Sequence, residues 1–166
     1  MTVEIRRGVP ADIDAIREIA TAAWNEAHAP IVGSDTVGEF LATYYDHESF
    51  RERLERDAAM LAVAADPDDG VRGFAFATLP DDGRSTAHLG QLYVAPTRWG
   101  EGIGSRLLAS VVDESRTAGG EALRLRVMAA NDRAVRFYER RGFDRVEEGY
   151  DDRIETRYCV YERSLD

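Results

Sequence analysis

The chain has 166 residues, 44% of them hydrophobic and 31% charged, with a formal net charge of −10. That balance fits a single globular domain over residues 1–166 and excludes a collagen-like or disordered chain. The lone cysteine, Cys159, excludes an internal disulfide framework and a multi-cysteine zinc site, and no apolar run reaches the ~18 residues that a membrane span needs.

Val3 to Arg7 alternates apolar and polar residues, which predicts a half-buried strand closed by Gly8 and Pro10. Asp12 then opens a helix in which Ile13, Ile16, Ala20 and Trp24 recur at helical spacing. The segment from His28 to Gly33 is expected to break it. Further helices are predicted over Thr36 to Tyr44 and Ser49 to Asp57. Strands follow at Met60 to Ala65 and Val71 to Leu79. Each is followed by a turn rich in Pro, Asp and Gly, at Pro67 to Gly70 and Pro80 to Gly83, so the pair reads as an antiparallel hairpin. A third strand, His88 to Val94, ends at Pro96. The period then changes. Ile103, Leu107, Leu108, Val111 and Val112 share one helical face, stopped by Gly119 and Gly120. Ala122 to Val127 is a strand, and a short helix around Ala134 to Tyr138 ends at Gly142. Two strands, Asp144 to Gly149 and Thr156 to Arg163, close a mixed α/β domain.

Charge limits the partners. Acidic residues number 31 against 21 basic ones, and all 21 are arginine. With no lysine there is no Schiff base and no Walker phosphate loop. An acidic surface disfavours nucleic acid. The acidity has two readings: a high-salt cytoplasm, or GC-rich coding with ordinary solubility. The first residues carry no apolar leader and no lipidation signature, so a cytoplasmic enzyme or binding domain, away from membranes, is expected.

The segment Leu92 to Leu108 is the most informative. A strand ends at Pro96, glycines follow at positions 100, 102 and 104, and an amphipathic helix starts at once. Glycine turns tightly and puts no Cβ between backbone and ligand. The first amides of a helix are unpaired, and the helix dipole makes them attractive to anions. Together they form a cradle for a phosphate or pyrophosphate, to which Ser105 adds a hydroxyl. The loop follows at least three meander-like strands, whereas a dinucleotide-binding unit normally wants an early strand; a nucleotide-binding domain of a different fold stays a third reading. In the second segment, Met128 to Phe143, Asn131 is placed to cap a helix. Ala134 and Tyr138 share a face of that helix, Phe137 faces the sheet, and Gly142 stops the helix.

In this order and spacing the two segments resemble the GNAT superfamily of N-acetyltransferases, over Val3 to about Tyr161. The marks are Val94-Ala95-Pro96, Gly100-Glu101-Gly102-Ile103-Gly104, Asn131, Ala134, Phe137-Tyr138 and Gly142-Phe143. The resemblance implies a mostly antiparallel sheet of six to seven strands with helices on both faces. Its central strands, here His88 to Val94 and Ala122 to Val127, would splay apart. It implies acetyl-CoA as acyl donor, and the loop from Gly100 to Ser105, including Glu101 and Ile103, would hold the pyrophosphate. The family often has Gln or Arg just before the first of these glycines. This chain has Trp99 there, with Arg98 preceding it as an alternative source of charge. The pantetheine arm would pair with backbone along Leu92, Tyr93 and Val94, and Asn131 would hydrogen-bond it. Arg133 and Arg136 are read either as phosphate partners or as solvated helix residues.

The chemistry follows from the same resemblance. The Val94 N–H would face the carbonyl oxygen, and Tyr138 would protonate the leaving thiolate. No base is assigned by spacing. Gln91 stands where some relatives carry Glu, and the titratable candidates are His88, Glu26 and His28. The acceptor pocket is expected between Ala23 to Thr43 and Glu147 to Thr156, where acids such as Asp151 and Asp152 favour a cationic amine. The acceptor is read as a small amine or a protein N-terminus, with a homodimer possible through the final strands. A non-catalytic acyl-CoA-binding sensor or scaffold is the alternative.

Overall fold

Alternating apolar residues build a sheet whose two faces receive different kinds of side chain. The computed structural model describes residues 3–81 and 85–165. In chain order it contains β1 (Glu4–Arg7), α1 (Ile13–Ala27), α2 (Ala29–Val32), α3 (Ser34–Tyr44) and α4 (His47–Leu54). Then come β2 (Ala59–Asp66), β3 (Gly70–Thr78), β4 (Thr86–Val94), α5 (Ile103–Thr117) and β5 (Ala122–Met128), followed by α6 (Asp132–Glu139), β6 (Asp144–Asp151) and β7 (Thr156–Ser164). The seven strands form one sheet in the order β1-β2-β3-β4-β5-β7-β6. Every neighbouring pair is antiparallel except β4 and β5, which run parallel.

In β2 and β3 the two faces separate by size. Met60, Ala62, Ala64, Ala75 and Ala77 face α5 and α6. Leu61, Val63, Phe74 and Phe76 face α1 and α4. Small residues let α5 approach closely. A Cβ at Gly73 would stand 3.1 Å from both Ile103 and Leu107, so glycine is what the contact needs there. Leu107 and Val111 are fully buried, and each such side chain contributes roughly 1.5–3 kcal/mol.

Most element boundaries expected from the sequence differ by a residue or two. One differs in kind: the segment from His28 to Gly33 contains the one-turn helix α2. Pro30 is tolerated because it lies in the first turn, where its missing N–H has no helical partner to lose. Asp12 precedes α1 in a 3-10 turn, accepting from Val9 N at 2.9 Å and bound by both terminal nitrogens of Arg6 at 2.9 and 3.0 Å. The turn expected at Pro80 to Gly83 lies partly outside the described residues. Among the described residues no helix is long and apolar enough to cross a membrane.

Candidate active site

The parallel pair creates the site. β4 and β5 are paired only from Thr86↔Ala122 to Leu89↔Leu125. The register of β3 against β4 slips beside Gly90, with Phe76 opposite Gln91 but Ala77 opposite Leu89. A bulge there bends β4 away from β5. Beyond it Gln91 and Tyr93 face the α1 side, and Leu92 and Val94 the α5 side. The strands part into a fork, and a cleft of about 850 Å³ runs through it.

At one end lies the glycine turn. Gly100 and Gly102 have φ of +87° and +82°, and a Cβ at either would meet nothing within 4 Å. Gly102 caps α5, whose first helical bond runs from Arg106 N to Gly102 O. The amides of Ile103, Gly104 and Ser105 therefore have no partner inside the helix, and all three residues line the cleft. Open space above positive-φ glycines, beside free amides and a helix dipole, suits a phosphate-bearing ligand. Gly104 packs beside α6: a Cβ there would lie at ordinary contact distance, 3.4 Å, from the Phe137 ring.

The arginines near this turn have separate tasks. Arg98 is bonded to Glu101 at 2.9 Å, Asp66 at 3.1 Å and Asp69 at 3.3 Å, so its charge fastens the turn to the β2–β3 loop. Trp99 donates from Nε1 to the Val94 carbonyl at 2.8 Å, and the Arg133 guanidinium lies 4.4 Å from its ring centre. Arg141 bonds the Ser105 hydroxyl and lies 3.7 Å from the Phe137 ring centre. Arg133, Arg136, Arg140 and Arg141 all border the cleft.

Midway, Asn131 caps α6 by accepting from Ala134 N at 3.2 Å. Its Oδ1 is thereby fixed, and its Nδ2 faces His28 Nε2 at 3.3 Å. An amide nitrogen only donates, so Nε2 accepts and a neutral His28 carries its proton on Nδ1. Burial lowers the His28 pKa to about 4, which keeps the ring neutral. Nδ1 is buried with no partner among the described residues. Tyr138 is buried against Phe137 and Phe143, and burial pushes its hydroxyl pKa well up.

The far end is aromatic. Trp24 stacks on Phe40 at 4.5 Å, meets His28 edge-on at 4.2 Å and donates to the Tyr45 hydroxyl at 3.3 Å. Burial raises the pKa of Tyr45 and Tyr93. Gln91 is buried there, its amide hydrogen-bonded with the Tyr45 hydroxyl. Asp151, from the end of β6, accepts from Arg153 at 2.7 and 3.0 Å and lies 3.7 Å from Arg126. Those hydrogen bonds, from Arg153 first, lower its pKa.

The cleft thus brings together Leu92, Tyr93, Val94, Arg98 to Gly100, Gly102 to Ser105, Asn131, Arg133 and Tyr138. It does not bring in Glu26, His88 or Glu101. Glu26 is exposed, because Trp24 and His28 occupy the inward face at the end of α1. His88 is exposed on the closed half of the fork, paired opposite Thr78 and Arg124. Glu101 is exposed and turned to Arg98. The acid at the far end, Asp151, is neutralised by its arginines. Phe40 and Arg153 lie in the two segments expected to wall the pocket without being singled out there, and Arg126 lies outside both. The alternation of Arg124 and Arg126 along a central strand was the available signal for a charged open face.

Comparison with known proteins agrees with this geometry. A mycothiol acetyltransferase of Propionibacterium freudenreichii subsp. shermanii is 34% identical over 139 residues, covering 81% of this chain and 41% of that protein. The chain thus spans about two fifths of that relative's length. An uncharacterised N-acetyltransferase of Mycobacterium bovis is 27% identical over 132 residues, covering 80% of this chain and 83% of that one. Among solved structures, the PaiA N-acetyltransferase of Thermoplasma acidophilum, in complex with coenzyme A, superimposes with a TM-score of 0.84 at 22% identity, over 99% of both chains. The profile of the Acetyltransferase (GNAT) family matches residues 13–143. From β4 through the glycine turn to α6, the chain belongs to the GNAT acetyltransferase family.

Proposed function

We propose that the chain is an N-acetyltransferase of the cytoplasm that moves an acetyl group from acetyl-CoA to a primary amine by direct attack in a ternary complex. The observation that carries this reading is the glycine turn, whose open, positive-φ glycines and free amides stand at one end of the fork. The residues fit the donor. Gly100, Gly102 and the first amides of α5 would hold its pyrophosphate, and the unpaired backbone of β4 would hold its extended arm. When bound, acetyl-CoA supplies an activated thioester carbonyl.

The remaining chemistry belongs to the chain. The Val94 N–H is the donor assigned to the carbonyl oxygen, where negative charge develops. Tyr138 keeps its proton through the physiological range because burial disfavours the phenolate, which suits it to protonate the leaving sulfur. His28 is not the base, since Nε2 already accepts from Asn131 and Nδ1 carries the proton. The free amine is drawn directly from solution, and much of the acceleration comes from holding two reactants together.

Thermal unfolding with and without acetyl-CoA tests the reading. Saturating acetyl-CoA is expected to raise the midpoint by mass action, with no rise from ATP or NAD. Steady coenzyme A release with an amine panel then separates an enzyme from an acyl-CoA-binding scaffold. No midpoint shift in a folded sample rejects the donor assignment.

A further inference from the structure

The far end of the cleft carries a charge opposite to that of the chain. Overall the chain is at −10, yet seven arginines and a single acid, Asp151, line the cleft. Arg98, Arg133 and Arg141 are held at the glycine-turn end by Glu101, Trp99 and Ser105. Arg126 and Arg153 are not, because they project from β5 and from the β6–β7 connection beside Asp151. One carboxylate thus faces two guanidinium groups, leaving one positive charge in excess.

The two arginines are unequal. Arg153 makes direct hydrogen bonds to Asp151. Arg126 stays 3.7 Å from the carboxylate, beyond hydrogen-bond distance, and its side chain is about half exposed. Its guanidinium lies 3.7 Å from the Tyr158 ring centre, which holds it in place and leaves its N–H edge available. The same cleft is walled by the rings of Trp24, Phe40 and Tyr45.

We propose that the acceptor is an amino-acid-type molecule: a primary amine with a carboxylate a few atoms away and an apolar side chain. This rests on the acetyltransfer reading above. Arg126 takes the carboxylate, and the wall of Trp24, Phe40 and Tyr45 takes the side chain. Asp151 does not attract a cationic amine, because its charge is already more than balanced. The attack forms an amide bond between acceptor nitrogen and acetyl carbon. The carbon–sulfur bond breaks, and coenzyme A leaves as the thiol with the proton that the amine surrenders.

Three probes of one skeleton test the proposal: L-leucine, L-leucinamide and isoamylamine. Intrinsic reactivity runs against the expectation, because the amide's amine is the least basic and the most available as free base. The expected result is a kcat/KM for L-leucine exceeding that for L-leucinamide on the order of tenfold. Arg126→Gln should shrink that ratio toward one, and Arg126→Lys should restore part of it. Circular dichroism confirms that the variants fold. Equal or reversed preference overturns the proposal. So does an absence of turnover with all three probes while acetyl-CoA still raises the melting midpoint. Loss of that midpoint shift instead rejects the donor reading underneath.

Discussion

Asn131 Nδ2 and His28 Nε2 lie 3.3 Å apart and tie the cap of α6 to the end of α1 across the cleft. The contact requires an unprotonated Nε2, so protonating His28 breaks it. The folded-state pKa is about 4 against an ordinary 6.5. Between those values the unfolded chain binds more protons, and stability falls as pH falls. The loss should total about 3 kcal/mol between pH 6.5 and 4. Denaturant titrations across that window should show the slope in the native chain and a flatter profile in His28→Gln. An unchanged slope in the variant would assign the loss to other groups.

Gly102→Ala tests the phosphate cradle. The substitution strains a φ of +82° but meets no atom within 4 Å, so it should cost about 1 kcal/mol and leave the fold intact. Its methyl group enters the open space above the amides. Gly119 is a matched control, with a φ of +88° and the same free surroundings at the opposite end of α5. Both variants should lose similar stability. Only Gly102→Ala should lose most of the acetyl-CoA-induced rise in Tm, and equal retention in both would count against the cradle.

Trp99→Phe removes one hydrogen bond, from Nε1 to the Val94 carbonyl, and keeps a ring beneath Arg133. The expected stability loss is about 1 kcal/mol. The tether also holds the start of the glycine turn against β4, so KM for acetyl-CoA should rise while kcat changes less. Steady-state kinetics at saturating amine check this, and a selective fall in kcat would contradict it.

The strands and the apolar faces of α1 and α5 were legible because they depend on local period: two in the strands, near 3.6 in the helices; the strand order, set by long-range pairing, was not. The glycine turn was legible because three glycines between a strand and an amphipathic helix have few other uses. The aromatic end of the cleft was legible in part: Ala23 to Thr43 and Glu147 to Thr156 were expected to wall it, but not which side chains meet there. Its walls come from α1, α3, β4, β5 and the β6–β7 connection, and no short segment contains the arrangement. Glu26 and His28 are two residues apart, yet one is exposed and the other 6% exposed, a difference fixed by the rotation of α1. Asp151 reads as a free acid in sequence, while the fold matches it with Arg153 and Arg126. Arg98 reads as a phosphate ligand until Asp66 and Asp69 arrive from another loop.

Tyr138→Phe removes only a hydroxyl from a ring packed between Phe137 and Phe143. Packing and donor affinity should be retained, and kcat should fall on the order of a hundredfold. Because burial raises the hydroxyl pKa, Tyr138 should contribute no alkaline limb to the native pH–rate profile below pH 10. An unchanged kcat would remove Tyr138 from the acid role.

A sheet ordinarily confines its unpaired backbone to the rims, and this one also keeps a stretch in its centre. From Gly90 to Val94 the free side of β4 extends roughly 16 Å. An extended guest lying there is read by its backbone-like groups and by its length, with little regard to side chains. On the proposed reading, discrimination lies at the two termini of that span: phosphate at the glycine turn, acceptor chemistry at the arginines. The fork acts as a ruler, holding those two recognition events at a fixed separation, so a change at either end retunes what is bound without rebuilding the sheet.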